Sequence, residues 1–423
     1  MSTLTKKTSP DVLVIGGGAA GMLAALFSAR AGARTLLLEK NEKLGRKMYI
    51  TGKGRCNVTN DCDAQEFLRQ VPRNPRFLFG ALHLLSPEDM KALLEENGCP
   101  VKVERGRRVF PVSDKASDVT RAIAGALQKA GCAVRLNAQV ERIESDERGV
   151  SGVLLSDGEK IDARAVIVAT GGLSYPSTGS TGDGYRFAQA LGLAIVPPLP
   201  SLIPYDTAET WPRELQGLTL KNICLSAVYC GKILFCEQGE LLFTHFGISG
   251  PLALELSSHA ARLPLAEIKV SLDLKPGLHE EQLLDRLKRE LAENGKRQLS
   301  TILKTLLPSR FADIFAQICG LDGEKTASQI SAQERATLCG KLKALPLTLS
   351  ETRPIAEAIV TSGGVAVNEL SPKTMASKRV PGLFFAGELV DVDAHTGGYN
   401  LQIAFSTGAL AGKSAAEYAQ VQT

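Results

Sequence analysis

A chain of 423 residues is too long for a single compact core and is expected to hold two or three domains. A composition of 44% apolar and 22% charged residues excludes disordered and fibrous classes, and a net charge of +4 permits an anionic partner without demanding one. Nine cysteines without a CxxC pair indicate neither a zinc site nor a disulfide framework, so no metal is expected. No apolar run approaches the roughly 18 residues that span a bilayer, and "MSTLTKKTSP" lacks a signal-peptide core, so a cytoplasmic chain without membrane association is expected.

The first element is the strongest local signal. "DVLVIGGGAAGMLAALFSARAG" reads as a buried strand, Val12 to Ile15, a glycine turn and an alanine-rich helix, and "ARTLLLEK" as a second strand ending at Glu39. Gly16, Gly18 and Gly21 complete G-x-G-x-x-G between strand and helix. Glycine permits the tight turn, the bare backbone lets a pyrophosphate reach the helix N-terminus, and an acidic residue about 20 positions later takes a ribose hydroxyl. Next comes "GKGRCNVTN", where Cys56 sits in a glycine- and threonine-framed loop, and such a thiol is most often a small apolar filler.

Two later segments return the chain to this site. After the helical "DVTRAIAGALQKAG", a strand and a hairpin lead to an apolar strand closing on Thr170, Gly171 and Gly172. Near the C-terminus, "GLFFAGELVDVDAHTGGYNLQIAFSTG" reads as a strand, an acidic loop and a long helix beginning near Asn400. An extended FAD needs a late return of this kind and an NAD fold does not. Between them, a proline-rich stretch and short β-like runs precede a basic helical region. The expected division is 1–195 as the first part of the FAD-binding domain, 196–274 as an inserted β domain, 275–350 as a helical cap, and 351–423 as the second part.

"GRKMYITGKGRCNVTN", "RVFP", "ATGGLSYPSTGSTGDGY", "THFGISGP", "TSGGV" and "PGLFFAGELVDVDAHTGGYNLQIAFSTG" together resemble the BaiN/RdsA family of FAD-dependent oxidoreductases, the aminoacetone-oxidase-like flavoproteins. The resemblance runs from about Asp11 to the C-terminus. It implies an α/β fold: a Rossmann-like, two-dinucleotide-binding-domain FAD module interrupted by a β domain and a helical cap. It also implies that Gly16, Gly17, Gly18, Ala19, Ala20 and Gly21 cradle the pyrophosphate and that Glu39 binds the adenosine ribose. Lys40 stands beside Glu39, and Arg46 and Lys47 are implied to neutralise phosphates. Thr51, Gly52, Gly54, Arg55, Cys56 and Asn57 become flavin-loop residues, with Lys53 among them, and the backbone of Val140 is placed at the adenine edge. Gly387, Glu388 and Asp391 are implied at the pyrophosphate and ribityl hydroxyls, and Gly398, Tyr399, Asn400 and Leu401 at the flavin ring. There a helix start directs N–H groups and a positive dipole end at the ring's pyrimidine side.

Members of the family act on steroid-like carbon–carbon double bonds, on amines, or on uridine in ribosomal RNA. The bacterial branch that this sequence is similar to implies reduction of a uridine C5=C6 bond to dihydrouridine in large-subunit (23S) ribosomal RNA, on the RNA or on a precursor of the subunit. A flavin oxidase or reductase of a small amine or enone is the alternative, and a flavin-binding assembly factor a third class. The resemblance implies that a reduced flavin would supply a hydride to C6 of a base that is turned out of its stack, or is modified before the RNA has fully folded, with an acid to protonate C5. NADPH or NADH is the expected electron donor, docking transiently because no second fingerprint is present. Cys56 and His245 are the two candidate acids; a loop wall and a turn histidine are the respective bland readings. Lys53 and Arg55 would favour the Cys56 thiolate, which works against proton donation. Arg286, Lys288, Arg289, Lys296, Arg297, Lys304 and Arg310 in the cap, with Arg69, Arg73, Arg76, Arg105, Arg107 and Arg108, are candidates for phosphate contact or simply a solvated face.

Overall fold

The computed structural model describes residues 9–422, which form two compact units. The first combines the chain up to Ser201 with the chain from Pro354; the second is Leu202–Arg353. Apolar β-branched runs bounded by glycine turns set the first unit's central sheet. Its five parallel strands lie in the order Leu383–Phe385, Ala165–Val168, Val12–Ile15, Thr35–Leu38 and Ala133–Arg135. Val12–Ile15 and Ala165–Val168 are buried along their whole length, as expected of parallel strands covered on both faces.

The fingerprint helix, Ala19–Arg30, is buried almost all round, from Ala20 to Leu26. A helix with no polar stripe needs cover on more than one side. The C-terminal helix, Tyr399–Val421, supplies it, with a stripe of small residues at the contact. A Cβ on Gly408 would lie 2.2 Å from the Ala20 carbonyl oxygen, and one on Gly412 would lie 2.1 Å from that of Ala24. The two helices therefore meet backbone to backbone, at a separation that only glycine on one side permits.

Strand Ile195–Ser201 pairs antiparallel with Val360–Val365, so the chain leaves the first unit after this strand, later than the expected boundary at 195/196. In the second unit seven strands pair antiparallel in the order Leu345–Leu347, Lys269–Asp273, Thr219–Tyr229, Lys232–Phe243, Gly247–Ser249, Tyr205–Thr207 and Leu349–Thr352. The two edge strands are separated in sequence only by Thr348. A chain extends at most about 3.6 Å per residue, so the edges must lie near each other and the sheet is rolled.

The second unit differs from the expected separation of a β domain from a helical cap. Helices Glu280–Glu293, Ser309–Ile318 and Ala332–Lys343 share one hydrophobic core with the sheet. Trp211, Phe243 and Phe311 form its centre, with Trp211 5.4 Å from Phe243 and stacked on Phe311 at 5.8 Å. Among the described residues no helix is long and apolar enough to cross a membrane.

The helix contact generates a stability test. Gly412→Val forces the pair apart and is expected to lower unfolding free energy by about 1–3 kcal/mol in denaturant melts followed by far-ultraviolet circular dichroism. An unchanged midpoint would mean that the close approach is not maintained.

Candidate active site

The fingerprint turn is built by close backbone approach. Gly16 has φ of 103°, and a Cβ there would lie 2.6 Å from the Ala169 carbonyl oxygen, where the neighbouring strand ends. A Cβ on Gly21 would lie 1.7 Å from the Gly16 oxygen, which fixes the helix against the turn. Gly18, the residue before Ala19, is different: nothing lies within 4 Å of its Cβ position, and no side chain caps the helix there. Uncapped N–H groups behind a bare backbone suit a phosphate.

Glu39 is buried beside this turn. Its Oε2 accepts from the Gly17 amide at 2.6 Å, and its Oε1 accepts from the Asn41 amide at 2.8 Å and the Asn41 side chain at 2.6 Å. A carboxylate has about four lone-pair sites, so Oε2 keeps capacity for a ribose hydroxyl. Two side-chain oxygens in the expected cofactor segments, Asn57 Oδ1 and Thr170 Oγ1, are buried without a hydrogen-bond partner among the described residues. Buried polar atoms are normally satisfied, so both point to a polar group of a ligand. The residues present thus fit FAD: glycines for the pyrophosphate, Glu39 for the ribose, and orphaned polar atoms for the rest of a long polar cofactor.

Lys40, beside Glu39, and the two cations expected at the phosphates, Arg46 and Lys47, are engaged within the protein. Lys40 binds Asp183 at 2.7 Å and Thr181 at 2.6 Å. Arg46 donates to Asn41 Oδ1 at 2.7 Å and lies 3.6 Å from Glu42. Lys47 reaches across the sequence to Glu388 at 2.6 Å and to Ser174, whose hydroxyl donates to Glu388 at 2.6 Å; the Thr361 amide donates to the same carboxylate at 2.9 Å. Burial pushes the Glu388 carboxyl up, but the Lys47 ammonium and these hydrogen bonds outweigh it and hold it below the usual carboxylate range. Arg73, expected among candidates for RNA phosphate, instead grips the buried Asp391 through both carboxylate oxygens at 3.1 and 3.0 Å, with Asn74 donating at 3.1 Å. Burial raises the Asp391 carboxyl, and Arg73 and Asn74 offset it only in part.

The cysteine loop backs onto the C-terminal helix. A Cβ on Gly398, the residue before Tyr399, would lie 2.3 Å from the Thr59 carbonyl oxygen, and Asn60 donates to the Gly397 carbonyl at 3.1 Å. Tyr399 packs edge-on against Phe67 at 5.2 Å, and the Asn400 amide ties down the acidic loop by donating to the Ala394 carbonyl at 2.7 Å. Leu401 follows, half-buried, in the first turn. Gly171 and Gly387 both have φ of 76°, and the Gly387 amide donates to Thr407 of the C-terminal helix at 3.0 Å. Val140 opens the hairpin strand Val140–Asp146 and pairs with Leu155.

Within the loop, Gly52, Lys53 and Gly54 are all left-handed, at φ of 57°, 59° and 86°, and Cys56 follows at 63°. A non-glycine residue in this region is strained, and the surroundings must hold it there. The Cys56 amide donates to the Thr51 carbonyl at 3.1 Å, and its side chain is 0% exposed, within the first unit's core. Burial pushes the thiol up to about 12; a hydrogen bond to Thr51 lowers it and the neighbouring Cys99 raises it by less. The expected thiolate-favouring effect of Arg55 is absent. Its guanidinium bonds Glu104 and Asp114 and lies over the Phe110 ring at 4.1 Å. Cys56 is thus an enclosed thiol in this conformation of the loop. His245, in the second unit, is exposed in the turn Thr244–Gly247, packed edge-on against Phe246 at 4.9 Å.

Several site residues escaped the sequence reading. Ser174 and Thr361 carry no motif of their own, and their roles appear only once Glu388 lies between them. Gly408-x-x-x-Gly412 was available as a signal of close helix approach. Asp393 is buried and accepts from Ser201 Oγ at 2.8 Å; burial pushes its carboxyl up to about 6, against that hydrogen bond.

A parallel Rossmann sheet with a glycine turn, a buried acid beside it and a late C-terminal return defines a dinucleotide-binding flavoprotein. Its fold is similar to that of a flavocytochrome c3 fumarate reductase in an open conformation, with a TM-score of 0.51 at 18% identity over 98% of this chain and 79% of that one. The chain belongs to the HI0933-like protein Rossmann domain family, whose pattern matches residues 10–414, a family of flavin-dependent oxidoreductases. It is 33% identical over 401 residues to a ribosomal RNA dihydrouridine synthase of Haemophilus influenzae, covering 93% of this chain and 96% of that protein. It is 30% identical over 408 residues to a 3-dehydro-bile acid delta(4,6)-reductase of Clostridium scindens, covering 96% and 98%.

Two measurements check the site. Glu39→Ala removes a charge-assisted acceptor worth about 1.5–3 kcal/mol, so FAD binding is expected to weaken on the order of 10- to 100-fold in a flavin fluorescence titration. Asp393, whose folded-state value of about 6 stands above the ordinary 3.8, contributes stability that is full below 3.8 and is lost as pH rises through about 6. Asp393→Asn is expected to abolish that loss, so the wild type should fall by on the order of 2–3 kcal/mol relative to the variant between about pH 4 and pH 7.

Proposed function

We propose that this protein reduces the C5=C6 bond of a uridine in large-subunit (23S) ribosomal RNA to dihydrouridine, with FAD as cofactor and NADPH or NADH as electron donor. The observation that carries the reading is the 33% identity to the Haemophilus influenzae ribosomal RNA dihydrouridine synthase across nearly the full length of both chains. The Clostridium scindens relative supports a second reading, reduction of a small enone. Both readings share one chemistry: saturation of a carbon–carbon double bond conjugated to a carbonyl.

Bound FAD supplies the two-electron reductant for such a bond. The chain's residues would hold it through the glycine turn at Gly16–Gly21, the Glu39 carboxylate and the loops around Asn57 and Thr170. The remaining need is a proton at the carbon next to the carbonyl. His245 is the proposed donor, because it is exposed in its turn and an imidazole can act as a general acid. Cys56 is assigned to the loop: its enclosed thiol and left-handed backbone hold Thr51–Asn60 against the C-terminal helix. The cations proposed for RNA phosphate are the candidates that are exposed and have no ion pair among the described residues: Arg69, Arg76, Arg105, Arg108, Arg289, Lys296 and Arg297. Arg310 is committed to the backbone oxygens of Glu214 and Gln216, and Lys304 lies 3.0 Å from Asp313.

Dihydrouridine mapping of ribosomal RNA from cells with and without the gene tests the function. One position is expected to lose the modification, and an identical map would overturn the reading. In complemented cells His245→Asn is expected to lower product by about 100-fold. Cys56→Ala is expected to cost less than about tenfold in product and about 1–2 kcal/mol of stability. The reverse ranking would return the proton to Cys56.

A further inference from the structure

The second unit's longest hairpin carries two thiols side by side on its outer face. Along Thr219–Tyr229, Ile223, Leu225 and Ala227 are buried, while Cys224 and Ser226 alternate with them on the partly exposed side. On the partner strand, Ser226 stands opposite Cys236 and Cys224 opposite Gln238, so the two cysteines are diagonal neighbours on one face. Their sulfurs are 3.7 Å apart. The Ser226 hydroxyl donates to Cys236 Sγ at 3.4 Å and lies 3.8 Å from Cys224 Sγ. Among the described residues no other two cysteines are in hydrogen-bond contact, and neither of these thiols belongs to the cofactor site.

We propose that Cys224 and Cys236 are a reversible dithiol–disulfide site whose oxidant is a low-molecular-weight disulfide. Closing the sulfurs to about 2.05 Å needs rotation of the two side chains and a local inward shift of the strand backbone, because diagonal neighbours stand about 7–8 Å apart. The two thiols have different roles. Cys236 is the more exposed of the two and so meets a small disulfide first. Its thiolate displaces one thiolate from the small disulfide and forms a mixed disulfide. Cys224, half-buried and with its thiol raised chiefly by burial, then attacks the Cys236 sulfur. That step forms the internal bond and releases the second small thiol. Two protein thiols are oxidised, one small disulfide is reduced to two thiols, and the two protons leave with them. A diagonal pair spans a longer Cβ separation than a direct one, so the bond is strained and readily reduced again.

The test treats the purified full-length holoprotein with oxidised glutathione, followed by differential alkylation and peptide mapping. The wild type is expected to lose two alkylatable thiols, at Cys224 and Cys236, with a mass lower by two hydrogens, and to regain both on reduction. Cys224→Ser should trap a glutathione adduct at Cys236, and Cys236→Ser should form neither adduct nor internal bond at this site. A wild type that accumulates the same Cys236 adduct as Cys224→Ser, or that is modified only at the exposed Cys230, would overturn the proposal.

Discussion

The contact on which the first unit depends is the backbone-to-backbone approach of the C-terminal helix to the fingerprint helix. Gly408 and Gly412 lie against the carbonyls of Ala20 and Ala24, and any side chain there would separate the helices. The same C-terminal helix begins at Tyr399, where Gly398 is pressed against Thr59 of the cysteine loop. One rigid helix thus sets the distance between the pyrophosphate turn and the loop expected at the flavin. An extended cofactor needs that distance fixed, because the segments proposed to hold its two ends, around Gly16 and Gly398, are almost 400 residues apart in sequence.

Charge performs the complementary task. Lys47 and Glu388, 341 positions apart, close the site with Ser174 and Thr361 as intermediaries, and Arg73 does the same for the buried Asp391. Removing one partner from such a pair leaves a buried charge uncompensated, which costs more than the pair contributes. These basic residues therefore hold the site together through ion pairs within the protein.

Features encoded by local spacing were legible in the sequence. The G-x-G-x-x-G turn, its strands and Glu39 are such features, because the chemistry and the geometry lie within thirty residues of each other. The C-terminal helix begins one residue from its expected start at Asn400. Partnerships between distant residues were not legible: nothing near Lys47 indicates Glu388, and nothing near Arg73 indicates Asp391. The position of Cys56 could not be read either, since the enclosure of a thiol depends on the Thr59–Val109 and Gly398 contacts that close over its loop. The helices of 280–343 showed their period, but an amphipathic stripe looks the same whether it faces another helix or a sheet. For that reason the shared core around Trp211 and Phe311 was hidden.

Under the proposed function, this fold delivers two electrons from flavin to a uracil in RNA. Holoprotein reduced anaerobically to one equivalent, then mixed with large-subunit ribosomal RNA lacking the modification, tests it in a single turnover followed by flavin absorbance. The account predicts that the RNA reoxidises the flavin and that one dihydrouridine appears for each flavin oxidised. A flavin that stays reduced with the RNA but is reoxidised at once by a steroid-like enone would contradict it.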